Sequence, residues 1–539
     1  MREKASLFSS RRHAFWFWAG CVAVTFGVML HVPMFLMGIK THFVLAGMPM
    51  GNGMKIGMGL IVAGTFATAY GLMPRRKSKV TYEEIAPPED APLNKAHWTQ
   101  MLVLAVALII DVMKPVTLGF VIPGMRAEYH LTFAHVELLP FAGLLGTTIG
   151  SFLWGALSDY YGRRASILLA AVVFMGTAIC GAMPAFSWNI AMCFMMGIGA
   201  GGMLPVTYAL LAEIMPTRHR GWCLVLVGGV GTVGGYFATS LLSAWLQPYF
   251  GWRIMWLIDL PTALVLILVS PKLQESARFL QAMGRTDEAK ETLARFGIVL
   301  EKLPSAVPEP EDVSLLVQPA ATPVKMKEVL GVTAALTLAA LAWGFVNFGV
   351  MLWLPGSLMA EGRSMGAASQ IIARSSLIAI PTIALATWLY SVWSTKRALL
   401  ASIGVTTLGL VAILLRDNEA LRFLSDPIIP VSLLVIGTSA VISMLLPYAA
   451  ECYPVRVRGR ATGWVAGFSK AGGVSAQVLG MLALVPALGV AAGIVAVLAV
   501  LSMVMIAVTG LDTRGRDLRE LEASKLAAEV AEGSALVTE

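Results

Sequence analysis

Glu213-Ile214-Met215-Pro216-Thr217-Arg218-His219-Arg220-Gly221 recurs 238 residues later as Glu451-Cys452-Tyr453-Pro454-Val455-Arg456-Val457-Arg458-Gly459. The shared pattern is Glu, two residues, Pro, three residues, Arg-Gly. Each copy closes the fourth apolar segment of a set of six. Duplication at matched places predicts two halves that run the same way through a membrane, the parallel repeat of a rocking-bundle transporter. Each copy also reads as a charged latch. A carboxylate at a helix end, Glu213 or Glu451, can pair with Arg220 or Arg458 beyond the proline turn when one face closes, and release it when that face opens.

Composition agrees with membrane residence. Of 539 residues, 57% are apolar and only 13% charged, about half the ~25% charge of ordinary soluble domains. Mean hydropathy is +0.74. Apolar stretches of the ~20 residues needed to cross hydrocarbon recur from end to end. The spacing predicts two early spans, at 14–38 and 55–73. Twelve more follow, at 98–120, 137–158, 166–185, 188–212, 221–246, 251–270, 328–355, 369–390, 398–415, 428–449, 461–482 and 485–509. The chain therefore reads as an all-α polytopic membrane protein. Residues 1–97 form an accessory helix pair and linker, and 98–270 the first six-helix half. Residues 271–327 form a central loop, 328–510 the second half and 511–539 a tail. The first half of the central loop carries a helix-like stretch over 276–296, and the second half is proline-rich linker. Arg11-Arg12 precedes an apolar stretch with no small-residue cleavage site, so the first helix is expected to be retained.

The net charge of +8 invites a nucleic-acid reading, but the basic residues sit in short loops. With both termini inside, 30 of the 40 Lys and Arg fall in inside loops and tails and seven in outside loops. That bias obeys the positive-inside rule and places both termini in the cytoplasm. Lys114, Arg374 and Lys470 are left within spans. The five cysteines show no paired or metal-ligand spacing and read as small packing residues. No zinc spacing, phosphate loop or serine-nucleophile elbow occurs in an inside segment. An enzyme, a metal site, a cofactor and a nucleic-acid partner are not expected.

Gly155-Ala156-Leu157-Ser158-Asp159-Tyr160-Tyr161-Gly162-Arg163-Arg164 lies between the second and third body spans. The glycines permit a tight turn and close helix approach, and Asp159 can bond a helix terminus or an arginine. In spacing and position the stretch resembles the signature loop of the major facilitator superfamily. Pro271 to Leu280, then Gly284-Arg285-Thr286-Asp287-Glu288-Ala289, resembles the start of the central loop in its sugar-porter and organic-ion branches. Gly251-Trp252-Arg253 and the duplicated Glu–Pro–Arg-Gly element fit the same branches. The resemblance covers about residues 98–510 and is closest to bacterial metabolite:proton symporters of the aromatic-acid and niacin-like type. It implies a gate of Gly155, Asp159, Gly162, Arg163, Arg164, Glu213, Arg220, Glu451 and Arg458, with Asp159 holding the two halves together inside. Departures are visible too. Cys193 stands where the fourth span often has an arginine, and Ser391 stands where a second-half signature aspartate is expected. The early helix pair has no counterpart in the twelve-span pattern.

Ionisable residues within spans are functional hypotheses, because each costs about 2.5–3.5 kcal/mol to insert. Asp111 and Lys114, three apart, share one helix face within pairing distance, and Pro115 can bend the helix there. The resemblance implies that Lys470 points into a central cavity from the opposite half. A lysine there suits a carboxylate, while Asp111 suits a coupling proton. Asp259 is a second intramembrane carboxylate, Arg374 a possible substrate contact, and Tyr208, Asn347, Thr207 and Trp353 shape a pocket.

These readings converge on a secondary active transporter in the bacterial inner membrane. It is expected to work as a monomer in the lipid bilayer, taking up a small organic anion (an aromatic or other carboxylate) with protons by alternating access. The rivals are an exporter of drugs or organic cations, a sugar porter, and a membrane sensor or scaffold with the added helices as a docking module.

Overall fold

The structure, a computed structural model, describes residues 10–74, 92–297, 326–453, 455–485 and 487–513, together with Phe8. Among the described residues every regular element is a helix. Twelve helices are long and apolar enough to cross a membrane by length and composition. Two further expected spans are occupied by the helices Asn52–Gly71 and Val455–Met481, which are not among those twelve.

The added pair is α1 (Arg11–Met29) and α2 (Asn52–Gly71). Then come α3 (Lys95–Glu128), α4 (Phe133–Tyr161), α5 (Arg163–Ala182) and α6 (Phe186–Ile214). The first half ends with α7 (Thr217–Phe250) and α8 (Ile254–Lys272). The second half has α9 (Leu330–Ala360), α10 (Met365–Trp393), α11 (Thr395–Leu414), α12 (Ile428–Cys452), α13 (Val455–Met481) and α14 (Leu488–Thr509).

Local chemistry sets the boundaries. Asn94 caps α3, its Oδ1 accepting the N–H groups of Ala96 and His97 at 2.9 and 3.2 Å while His97 Nδ1 accepts the Asn94 N–H; two free helix-end donors are thereby satisfied. The turn between α4 and α5 is made at Gly162, whose φ of +96° suits only glycine. Two expectations need correction. The helix-like stretch of the central loop is two short helices, Ala277–Ala282 and Thr286–Arg295, because Gly284 takes a φ of +71° between them. The fourth body span is interrupted at Gly202, between Phe186–Gly201 and Met203–Ile214.

The added pair is built into the first half. α1 and α2 meet through glycines, including Gly20, Gly27, Gly57 and Gly64, whose missing Cβ atoms let the backbones touch. Val28, Met34, Leu45 and Met54 of this region share one apolar core with Ala178, Ile179 and Ala182 of α5 and with Met183 just beyond it. A polar knot fastens the arrangement. Glu128, at the end of α3, pairs with the fully buried Arg253 at 2.6 Å and accepts the Trp252 indole N–H at 2.9 Å. The same carboxylate accepts the backbone N–H groups of Leu45 and Ala46 at 2.7 and 3.0 Å. Arg253 also donates to the Met183 carbonyl at 2.8 Å and the Tyr129 hydroxyl at 2.9 Å. The duplicated body is thus not self-contained at this corner.

The α4 and α13 faces of the two halves meet at one end of the bundle and part at the other. At the end far from the signature loop, Gly119 of α3 abuts the Leu352 carbonyl of α9, and Gly480 of α13 abuts Glu137 at the start of α4. Ser243 of α7 and Ser369 of α10 share a 2.7 Å hydrogen bond there. At the signature end, among the described residues, a Cβ placed on Gly155 of α4, or on Gly463 or Gly467 of α13, meets nothing within 4 Å.

Candidate functional site

The charges that sequence placed within spans gather around the middle of α3, but not in the expected pairs. Lys114 does not pair with Asp111. Its ammonium bonds Asp259 of α8, and the side chains of this ion pair are 1% and 5% exposed. The ammonium also sits 4.4 Å above the Phe174 ring of α5. Lys114 is therefore neutralised within the first half. Asp111 is left over: it is buried, and its Oδ1 has no hydrogen-bond partner. The cations acting on it are Lys470 of the second half first and Lys114 second. Lys470 is half-buried, with its ammonium 5.1 Å from the Phe348 ring.

Phe348 and Asn347 owe their placement to a π-helical turn, Val346–Val350, in the middle of α9. An extra residue in a turn re-aims side chains and is common at functional sites. Here it turns Asn347 to accept the Tyr236 hydroxyl of α7 at 2.8 Å and leaves the Phe348 carbonyl to accept the Gln477 amide of α13. Asn347, Tyr236, Phe348 and Pro115 line a void of about 10 Å³ beneath the Gly119–Leu352 contact. Above that contact a cavity of about 570 Å³ opens at the far end, lined by Arg126, Glu137, Trp353 and Ser357 among others.

Other expected site residues are dispersed. Tyr208 is buried on α6 against Gly228 of α7. Thr207 beside it is fully buried. Arg374 requires correction: it is exposed on α10 in a stripe with Leu377 and Ile378, 55% and 51% exposed, and so faces out of the bundle. The buried face of that helix carries Ser375 and Ser376 instead.

The gate residues form a network within the first half. Arg163 donates to Asp159 Oδ1 at 3.0 Å and to Glu213 Oε1 at 3.1 Å. These are the contacts of a parted signature end. Glu213 is bonded by Arg163 of the signature loop, and Arg220 is half-buried on α7. Asp159, its side chain 75% exposed, bonds its own turn rather than bridging the halves. Glu275 completes the network by accepting the backbone N–H groups of Arg163 and Arg164 at 2.9 and 3.1 Å, and Arg164 donates to the Ser270 carbonyl at 3.0 Å. Burial pushes the Glu275 carboxyl above the usual carboxylate range, against the N–H bonds from Ser276, Arg163 and Arg164 that favour its charged form. In the second half, Glu451 accepts the hydroxyls of Tyr390 and Thr513 at 3.0 and 2.6 Å. Its Oε1 stands 3.2 Å from where a Cβ on Gly221 would lie, so it abuts the first half. The Arg458 side chain lies outside the described residues.

Sequence reasoning passed over Glu128, Glu137, Tyr236 and Glu275 as site residues. Both Glu128 and Glu137 sit at span ends, where a charge is ordinarily solvated.

The Lys114–Asp259 assignment makes a stability prediction. Breaking one side of a buried ion pair costs about 3–5 kcal/mol, whereas an apolar replacement of both is often neutral. Lys114→Met is expected to lower the unfolding temperature in detergent sharply, and Lys114→Met with Asp259→Leu to recover most of the loss. Equal losses in the single and double variants would rule out this pairing.

The profile of the Major Facilitator Superfamily matches residues 102–424. The niacin transporter NiaP of Acinetobacter baylyi is 25% identical over 399 residues, 72% of this chain and 88% of that protein. The benzoate transport protein of the same organism is 24% identical over 408 residues, 72% and 84% respectively. Among solved structures, the inward open xylose transporter XylE from E. coli superposes with a TM-score of 0.60 at 17% identity, covering 79% of this chain and 99% of that one. Fold, repeat, signature loop and profile agree: this chain is a multi-pass membrane transporter and belongs to the Major Facilitator Superfamily.

Proposed function

We propose that the chain takes up a small organic anion, an aromatic or other carboxylate, together with protons, by alternating access of the halves 98–270 and 328–510. The observation that carries this reading is the division of charges around α3. Asp259 occupies Lys114, so Asp111 is a buried carboxyl whose Oδ1 has no hydrogen-bond partner, within electrostatic reach of a lysine contributed by the other half. Such an acid can gain and lose a proton as the halves move, since burial disfavours its charge and a nearby cation favours it. Lys470, held over an aromatic ring, is a point cation fit to receive a carboxylate. Niacin and benzoate, named for two of the relatives, are both aromatic monocarboxylates, which supports the substrate class. The positive-inside bias supports a plasma-membrane orientation with the signature end and both termini in the cytoplasm.

The test is uptake into proteoliposomes under an acid-outside pH gradient, with labelled benzoate, nicotinate and xylose offered in turn. Concentrative uptake of a carboxylate, collapsed by a protonophore, is expected. Gradient-driven uptake of the sugar alone would transfer the chain to the sugar-porter reading.

A further inference from the structure

Glu137 stands at the threshold of α4, fully buried, and neither of its carboxyl oxygens has a hydrogen-bond partner. It lies across the junction between the halves at the closed end. A Cβ on Gly480 of α13 would stand 2.9 Å from its Cγ and 3.3 Å from Oε2. The Trp353 indole of α9 lies beside it; its N–H falls short of a full hydrogen bond but is the one donor that favours the charged carboxylate. Both residues line the 570 Å³ cavity. The other charged lining residue is Arg126 of α3, exposed, with no ion pair among the described residues. Nearby His135 is exposed and engaged with Thr132 at 2.7 Å. The lining residues from α9, the α13–α14 connection and α14 carry no charge.

A carboxylate in such a seam has lost water and gained no cation and only the approach of one indole N–H, so the closed arrangement favours the neutral acid. When α4 and α13 separate, water reaches the group and the charged form becomes affordable. We propose that Glu137 is a second proton-binding site, separate from Asp111, whose protonation holds the far end of the bundle shut. The proton is taken from water on the far side, held as the carboxylic O–H while the seam is closed, and returned to that water as the seam opens. The proposal rests on alternating access but not on the identity of the substrate or the role of Asp111.

Linkage gives the sign: closure is favoured below the pH at which the opened acid ionises, and is lost as pH rises. Met351→Cys places a thiol in the void beneath the closed contact. Its rate of modification by a membrane-impermeant maleimide is divided by the rate in unfolded protein at the same pH, and the signal of the parent protein, which carries only native cysteines, is subtracted. This ratio is expected to rise about tenfold from mildly acid to mildly alkaline pH, since a gate linked to one proton moves at most about tenfold per pH unit. Glu137→Gln, which copies the neutral acid, is expected to hold the ratio low and flat. Glu137→Asp should keep the dependence, and so should Asp111→Asn. A pH dependence that persists unchanged in Glu137→Gln overturns the proposal, as does one that vanishes only in Asp111→Asn. Because the readout is accessibility rather than uptake, a chain that fails to move carboxylates can still show this switch, and one that moves them can lack it.

Discussion

Asp111→Asn is expected to abolish accumulation against a gradient while leaving exchange of substrate across the membrane intact. The amide has nearly the shape of the protonated acid and no proton to release. A carrier locked in that state can still bind substrate and reorient with it, so labelled substrate swaps for unlabelled at close to the normal rate. What disappears is the link to the proton gradient. Each pH unit contributes about 1.4 kcal/mol per proton, a factor of ten in concentration ratio. Under a one-unit gradient the wild-type ratio of about tenfold should therefore fall to unity. The measurement is the steady-state inside-to-outside ratio in proteoliposomes, with counterflow measured in parallel. If the variant concentrates substrate as the wild type does, Asp111 is not the proton carrier, and Asp259 becomes the next carboxyl to replace.

Lys470→Gln is the second large effect, and it falls on affinity. Hydrogen bonds to charged groups contribute about 1.5–3 kcal/mol, so half-saturation should rise about ten- to a hundredfold. Lys470→Arg should recover only part of that, because a planar fork on a longer stem does not replace a compact ammonium at the same depth. A lysine that merely packs against Phe348 makes a different prediction: lower protein yield or stability, with unchanged affinity in the folded fraction. Titration of counterflow against substrate concentration separates the two. An unaltered half-saturation in Lys470→Gln would remove the anion anchor from the mechanism.

The membrane helices and the repeat were legible because both are written locally, in apolar run length and in the spacing of Glu, Pro and Arg-Gly. Partner choice was not. Asp111 and Lys114 are three residues apart, and adjacency on one helix made them look like a pair. The partner that Lys114 selects, Asp259, lies 145 residues away, and only the packing of α8 against α3 brings it near. The same limit applies to Glu213, whose arginine comes from a loop 50 residues earlier. Arg374 is a different case. Leu377 and Ile378, one turn further along α10, are apolar, whereas Ser375 and Ser376 mark the buried face, so its orientation was readable from helical period alone. Glu137 stood at the first position of an expected span, and nothing in its immediate sequence shows that Gly480 will seal it.

The Glu128 knot has a consequence for how the chain is made. The ribosome delivers α1 and α2 first, yet the carboxylate that receives the Leu45 and Ala46 amides arrives with α3, and the arginine completing it arrives with α8. During that interval the hairpin depends on its own glycine-lined crossing, with no socket to occupy. The contact of its loop with Met183, Pro184 and Phe250 can form only once the first half has been threaded into the bilayer. A segment synthesised ahead of the first half is thus locked only after it, and its docking marks the completion of the first half during biogenesis.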